Sequence, residues 1–199
     1  MSKSTLARLL AREFAVIGWN VKIADMDISQ GTSFNWASRR LQNRIHPEIP
    51  VQQYGSVSKA LAEAENLDLL VFDGAPHSTA GTKEIAKASD MVVIPTGLTL
   101  DDLEPAVLLA HELVKSGVQR KKIVLTLTRT GESASELQEA RDYLDQTPYF
   151  VLGADLPEKT AYRKASDKGL ALSETSFPTL RERAAKVAQE LVDRVENIS

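Results

Sequence analysis

The chain has 199 residues, of which 43% are hydrophobic and 26% are charged, a composition typical of a globular domain with a sizeable core. Its formal net charge of −3 excludes a globally basic nucleic-acid-binding protein but allows a local basic patch. The absence of cysteine excludes disulfides and thiolate metal sites, and no apolar run approaches the length of a membrane span. Arg8, Arg12 and Glu13 interrupt the first apolar stretch, so a signal peptide is not predicted and a cytoplasmic location is expected.

Predicted helices and strands alternate along the sequence. Apolar residues at helical spacing predict a first helix over residues 4–17, with Gly18 as its left-handed C-cap. The apolar run 67–73 is the most strand-like segment and is typical of a parallel strand covered on both faces. The other predicted strands are 21–27, 51–54, 91–95, 122–128 and 149–154, and the other helices are 31–44, 56–65, a short one ending at 88, 99–116, one beginning at Ser133, 158–168 and 178–197. This alternation predicts one α/β domain over residues 1–199, with a doubly wound, mostly parallel sheet flanked by helices.

The start of the first helix carries Lys3, Ser4 and Thr5, the residue types that end a phosphate-binding loop. The lysine supplies a mobile cation to terminal phosphates, and the first hydroxyl is a ligand for Mg²⁺. Free N–H groups at the helix N-terminus favour an anion. Taken alone, this short polar run is explained as well by an ordinary helix cap.

Three carboxylates follow predicted strands. Asp25 and Asp27 end the strand 21–27, and Asp73 ends the strand 67–73. Ligands of doubly wound sheets bind beyond the carboxyl ends of the strands, so these acids are expected near Lys3 and Ser4. An acid after a strand often only caps the next loop. A lysine, a hydroxyl and carboxylates in this order are nevertheless what phosphoryl transfer on Mg²⁺ requires.

Five motifs in this order resemble those of the ParA/MinD-type partition ATPases with a deviant Walker A motif, and most closely the small plasmid ParA-like proteins. The resemblance extends over essentially the whole chain. The motifs are residues 2–7 (SKSTLA), 21–31 (VKIADMDISQG), 69–76 (LLVFDGAP), 88–95 (ASDMVVIP) and 156–163 (LPEKTAYR), with Gly169 following the last.

The resemblance implies a role for each matching position. Ser2 would lie in the phosphate loop, Lys3 would contact the β- and γ-phosphates of ATP, and Thr5 would reach the α-phosphate. Ser4 would ligate Mg²⁺, Asp73 would hold Mg²⁺ through water, and Asp27 would orient the attacking water. Arg129 and Pro157 would lie near the adenine, with Thr128 where relatives often carry asparagine.

The resemblance also implies partners. ATP would close two subunits into a homodimer that binds DNA nonspecifically, working with a ParB-like adaptor protein in plasmid or chromosome partition at the nucleoid. Four basic residues are the DNA-binding candidates, namely Arg163, Lys164, Arg181 and Arg183. Interleaved acids make a solvated helix face the competing interpretation. The last residues are too acidic for a membrane-targeting helix, so no membrane partner is expected.

The family's first strand, its loop glycines and its signature lysine do not precede Lys3 in this sequence. We expect that the true start lies upstream, because lost backbone donors cost about 1.5–3 kcal/mol for each charge-assisted hydrogen bond. A nucleotide-free pseudo-ATPase that acts as a binding module is the main alternative. Another deviant Walker protein, such as a positioning ATPase or a cobyrinic-acid-synthase-like enzyme, is a weaker one.

His46, His77 and His111 lack metal-ligand spacing and are interpreted as ordinary loop or surface residues.

Overall fold

The computed structural model describes residues 2–75 and 79–198. By internal contacts the chain divides into two compact units. The first unit comprises residues 3–85 and 160–184, and the second comprises Ser2 with residues 86–159 and 185–199. The expectation of a single domain over residues 1–199 stays a prediction.

The first unit contains a three-stranded parallel sheet in the order β2-β1-β3, formed by β1 (Val21–Asp25), β2 (Val51–Gln53) and β3 (Leu69–Asp73). Its register places Asp25 directly beside Asp73. The helices of this unit are α1 (Ser2–Val16), α2 (Thr32–Gln42), α3 (Val57–Leu61), most of α4 (Thr79–Ala88), α7 (Thr160–Asp167) and the start of α8 (Pro178–Ile198). The carboxyl ends of β1 and β3 therefore meet at one edge of the sheet.

The second unit contains parallel strands arranged around β5 (Ile123–Thr130), which pairs with β4 (Val92–Thr96), β6 (Phe150–Val151) and β7 (Leu156–Pro157). Two helices pack in this unit, α5 (Leu100–Lys115) and α6 (Ala134–Asp145), and the end of α8 belongs to it. Its apolar core is built on β5, where Ile123, Leu125 and Leu127 are fully buried.

Most predicted elements lie within a few residues of the observed ones, and the α/β class with parallel sheets and flanking helices is confirmed. Gly18 has φ 92° and ends α1 as expected, and the Ser133 hydroxyl caps α6 by accepting from the Glu136 N–H. The expectation that the run 67–73 is covered on both faces is wrong. Leu69 to Phe72 are only partly buried, because β3 is an edge strand of its sheet in the described part of the chain.

Two further predictions of elements need correction. The helix expected over 56–65 is a short α3 followed by a separate single 3-10 turn, Ala64–Asn66. The strand expected over 149–154 covers only Phe150–Val151, and β7 lies in the segment after it. Each difference concerns a short element whose apolar pattern spans too few residues to fix its bounds.

Candidate functional site

Lys3 lies in the first turn of α1 and reaches the loop that follows β3. Its Nζ donates to the carbonyl oxygen of Ala75 at 2.9 Å, two residues after Asp73. Burial among neighbouring atoms lowers the pKa of Lys3, whereas the charges of Asp73 and Asp27 act in the opposite direction. A lysine ammonium group is thus held at the carboxyl end of β3, as the sequence predicted.

Asp73 is the acid at the end of β3, and it is only 2% exposed. Its Oδ1 accepts from the Ser4 hydroxyl at 3.1 Å, and its Oδ2 accepts from the Ser33 hydroxyl at 2.7 Å. Burial raises the pKa of Asp73, while the hydrogen bonds from Ser33 and Ser4 favour its ionised form. The structure therefore brings the two predicted magnesium residues, Ser4 and Asp73, into direct contact.

Asp25 has a structural task beside this pair. It is fully buried, and its Oδ2 accepts from the backbone N–H groups of Ser33 and Phe34 at 3.1 and 3.0 Å. These N–H groups belong to the first turn of α2, where a carboxylate is favoured by the helix dipole. Its other oxygen accepts from the Asp27 N–H at 3.1 Å, so Asp25 fixes the loop that carries Asp27.

Asp27 is partly exposed, and its hydrogen bonds favour the ionised form. The hydroxyl of Ser29 donates to its Oδ1 at 2.7 Å, and the Gln30 N–H donates to the same atom at 3.2 Å. The Ser29 hydrogen bond is the main cause that lowers the pKa of Asp27, and the charge of Lys3 adds to it. A carboxylate that keeps its charge is suited to accept a hydrogen bond from water.

Gly31 closes the Asp27 loop in a conformation that favours glycine. It has φ 54°, and its N–H donates to the Asp27 carbonyl oxygen at 2.7 Å. A Cβ at this position would lie 2.8 Å from Nε2 of Gln53. The loop therefore passes close to the Gln53 side chain of β2, and a larger residue here would have to adopt a left-handed backbone and shift that side chain.

The Ser4 hydroxyl lies near another hydroxyl and a carboxylate. Its Oγ lies 3.0 Å from Oγ1 of Thr32 and 3.1 Å from Asp73. Such oxygens are the ligands that Mg²⁺ prefers, and Mg²⁺ usually keeps several waters and phosphate oxygens as its other ligands. Within the described residues no group of three or more His, Cys, Asp or Glu side chains could hold a metal ion. The donor set therefore fits Mg²⁺ carried by a phosphate ligand.

The other residues predicted to bind the nucleotide are divided between the two units. Thr5 is half-buried on α1 in the first unit. In the second unit, the Ser2 hydroxyl accepts from Thr128 Oγ1 at 2.8 Å. Pro157 is buried on β7, and Arg129 is exposed on β5.

Arg129 has an unusual backbone conformation. Its φ is 58°, and the register of β5 against β7 shifts at this residue. Its Nη2 donates to Asp102 Oδ1 at 3.1 Å. Left-handed backbone at a residue other than glycine costs energy and is frequent at functional sites.

The four DNA-binding candidates are exposed on two helices of the first unit, Arg163 and Lys164 on α7 and Arg181 and Arg183 on α8. Pro76 of the third motif and His77 lie outside the described residues. No helix in the described part of the chain is long and apolar enough to cross a membrane.

Sequence reasoning missed Arg8, Thr32 and Ser33. Thr32 lies within hydrogen-bond distance of Ser4, Ser33 donates to Asp73, and Arg8 donates to the Ser33 hydroxyl. For Thr32 and Ser33 a signal was present, since two hydroxyl residues follow Gly31 directly after the acidic strand end. For Arg8 the sequence offers none, because a single arginine in an amphipathic helix is typical of a solvated face.

Solved structures resemble the fold over nearly its full length. The septum site-determining protein MinD with Mg-ADP from Pyrococcus horikoshii has a TM-score of 0.76 with this chain and 13% identity, covering 100% of this chain and 93% of that one. A putative plasmid partition protein bound to AMPPNP from Borrelia burgdorferi has a TM-score of 0.71 and 15% identity, covering 97% and 94%. The ATP complex of a McdA variant from Cyanothece has a TM-score of 0.67 and 16% identity, covering 96% and 92%. No protein-family model matches the sequence, and no curated protein sequence matches it significantly.

These matches define the class of the fold. The chain has a MinD-like P-loop NTPase fold, the fold shared by MinD, McdA and plasmid partition proteins. At identities of 12–17% the likeness shows the fold alone. The resemblance seen in the sequence motifs is confirmed at this level.

Proposed function

We propose that the chain is a partition ATPase of the ParA/MinD type that binds Mg-ATP, dimerises on it and hydrolyses it. The observation that supports this best is the cluster of Lys3, Ser4, Asp27 and Asp73 at the carboxyl ends of β1 and β3. A cation, a hydroxyl, a buried carboxylate and a partly exposed ionised carboxylate are the groups that phosphoryl transfer to water requires. Solved structures with this fold hold Mg-ADP and AMPPNP, by their own descriptions.

Each residue of the cluster has a task that follows from its surroundings. Lys3 exchanges its contact with the Ala75 carbonyl for phosphate oxygens, which as anions are stronger acceptors. Ser4 and Asp73 would hold Mg²⁺, which would neutralise charge on the phosphates. Asp27 orients the attacking water from its partly exposed position. For Arg129 and Pro157, the proposed role near the adenine rests on the motif resemblance alone.

The test separates binding from hydrolysis. Asp27→Ala should keep ATP binding and lose hydrolysis, because it removes only the group that orients water. Lys3→Ala should lose both, because it removes the cation that binds the phosphates. Calorimetry with ATP and release of inorganic phosphate measure the two properties.

Asp90→Ala is the matched control, since Asp90 is an exposed acid outside the cluster. It should behave as the parent in both assays. Hydrolysis at the parental rate by Asp27→Ala would refute its role. A parent chain that binds no ATP would instead favour the pseudo-ATPase that acts as a binding module.

Partition requires DNA binding. We assign it to four exposed cations, Arg163, Lys164, Arg181 and Arg183. The formal net charge is −3, so affinity for DNA has to come from a local patch. One subunit offers few phosphate contacts, whereas an ATP-closed dimer places two patches on one duplex. DNA binding is therefore ATP-dependent, insensitive to base sequence and steeply weakened by salt. A ParB-like adaptor would stimulate the cycle.

Replacing these four residues by Glu should abolish DNA binding and leave ATP-driven dimerisation intact, as measured by gel shift and light scattering. The control replaces four other exposed cations by Glu, which changes the net charge equally, namely Lys59, Lys87, Lys115 and Arg120. The control should retain much of the affinity. Equal losses in both variants would show that net charge, and not this patch, governs binding.

A further inference from the structure

Arg8 is a buried arginine that the proposed chemistry does not use. It lies on α1 one turn after Ser4 and is 7% exposed. Its Nε donates to the Ser33 hydroxyl at 3.0 Å, and its Nη1 donates to the Ser166 hydroxyl at 3.1 Å. Its guanidinium carbon lies 5.7 Å from the centre of the Trp36 ring. Among the described residues no carboxylate oxygen forms an ion pair with it within 4.0 Å.

The hydrogen bond from Arg8 leaves the Ser33 hydroxyl as a donor to Asp73. A serine hydroxyl has one hydrogen to donate. Because Arg8 donates to Ser33 Oγ, it occupies an acceptor position there, and the single hydrogen is directed to Asp73 Oδ2 at 2.7 Å. Asp73 Oδ2 is thereby engaged, and Oδ1 faces the Ser4 hydroxyl. Arg8, Ser33 and Asp73 therefore form one hydrogen-bonded chain that ends at the carboxylate beside Ser4.

The positive charge of Arg8 also offsets the repulsion between two buried carboxylates, Asp25 and Asp73. Asp25 and Asp73 are adjacent in the register of β1 and β3, and both are almost fully buried. Like charges at neighbouring positions repel, and burial strengthens the repulsion. Arg8 acts on both carboxylates, and although burial lowers its pKa to about 10, the guanidinium remains charged at neutral pH.

We propose that Arg8 is a positioning residue for the magnesium site, acting through the Ser33 hydroxyl to hold the Asp73 carboxylate in the orientation that binds the metal's water ligand. This inference rests on the proposed function for the identity of the metal and nucleotide. Residues that orient metal-binding side chains typically change metal affinity by roughly 10–100-fold when they are replaced.

A purely structural role of a buried arginine is the competing explanation, and Arg40 provides the matched control. Arg40 is 1% exposed, and its guanidinium carbon lies 5.4 Å from the centre of the same Trp36 ring. It forms a bidentate pair with Glu174, and its hydrogen bonds in the described structure go to Glu174, Gly169 and Pro47. Arg40→Met therefore removes an equally buried arginine without touching the magnesium site.

The first measurement is crystallographic and does not depend on nucleotide. In Arg8→Met the Asp73 carboxylate and the Ser33 hydroxyl should turn away from their parental orientation, whereas in Arg40→Met the contact between Ser33 Oγ and Asp73 Oδ2 should remain near 2.7 Å. Arg8→Lys, which retains a cationic donor, should keep it.

The second measurement is calorimetry of ADP binding at increasing Mg²⁺ concentration, with EDTA to define metal-free binding. In Arg8→Met the Mg²⁺ concentration that half-saturates the effect should rise roughly 10–100-fold, with metal-free ADP affinity unchanged. Arg8→Lys should restore much of the parental value. Ser33→Ala should reproduce the effect of Arg8→Met, and combining the two should add little, because both act on the same hydrogen bond.

An unchanged Mg²⁺ requirement in Arg8→Met would overturn the proposal, as would an equal rise in Arg40→Met or full additivity of Arg8→Met with Ser33→Ala. If Arg8→Met does not fold, Arg8→Lys and Ser33→Ala decide by the same criteria. If the parent binds no ADP, the proposed function fails, and the crystallographic comparison still decides whether Arg8 orients Asp73.

Discussion

The buried polar side chains of the two units differ in kind. Those of the first unit include the charged residues Arg8, Asp25, Arg40 and Asp73, each at most 7% exposed. Those of the second unit are mainly threonine hydroxyls, Thr96, Thr126, Thr128 and Thr130, and Asp155 is the charged one among the buried side chains described there. The first unit therefore holds four charged residues in its described interior, whereas the second holds one beside four neutral hydroxyls.

Both units also have an apolar core. The large cluster on β5 belongs entirely to the second unit, with fourteen buried residues from Ala86 to Tyr149. The first unit has its own fully buried apolar residues, among them Leu9, Ile23 and Trp36. The first unit thus combines an apolar interior with the buried charges around Asp73, whereas the second is closer to an ordinary apolar scaffold. Buried charges cost stability unless they are paired, so the first unit is where function and stability compete.

The largest expected effect is in the apolar scaffold. Leu125 on β5 is fully buried in the second unit, and Leu125→Ala should lower the free energy of unfolding by about 2–5 kcal/mol, through lost burial and a residual cavity. Urea unfolding followed by far-UV circular dichroism measures the change. Leu108→Ala is the control, because Leu108 is 58% exposed on α5 and its truncation should change stability little. Similar losses in the two variants would contradict this account of the core.

Sequence reasoning predicted the scaffold well, because long apolar periodicities determine it. The run that became β5 and the helical spacing that became α5 each span enough residues to be unambiguous. The bounds of α3 and β6 were less accurate, since these elements have only five and two residues. The edge position of β3 was not predicted, because an apolar run is the same whether or not a strand pairs beside it.

The candidate site was predicted in part. Acids at strand ends pointed to Asp25, Asp27 and Asp73 without distinguishing them, and only the fold shows that Asp25 anchors the start of α2. Arg8 could not be predicted. Its partners Ser33 and Ser166 lie 25 and 158 residues away in sequence, so its burial depends on tertiary contacts that no local pattern records.

The smallest expected effect concerns the cost of the buried charge at Asp73. Burial raises the pKa of this carboxyl above its ordinary value of 3.8, so the folded chain binds its proton more tightly than the unfolded chain does. The ionised form therefore lowers stability at neutral pH, and this penalty is relieved as the pH falls through the folded-state pKa. Asp73→Asn removes the charge and keeps the shape, so it should raise Tm by a few degrees at neutral pH, where about 1 kcal/mol corresponds to roughly 2–4 °C.

Tryptophan fluorescence is the suitable probe, because both tryptophans, Trp19 and Trp36, belong to the first unit. The gain in Tm should be full at neutral pH and should shrink on acidification, since both proteins carry a neutral side chain at position 73 once Asp73 is protonated. Asp68→Asn is the control, an exposed acid just before β3, and it should show no comparable pH-dependent gain. The same Asp73→Asn chain should lose Mg²⁺-dependent ADP binding, because an amide is a poorer partner for the metal's water. A variant that is destabilised at neutral pH would show that the hydrogen bonds from Ser4 and Ser33 outweigh the cost of burying the charge.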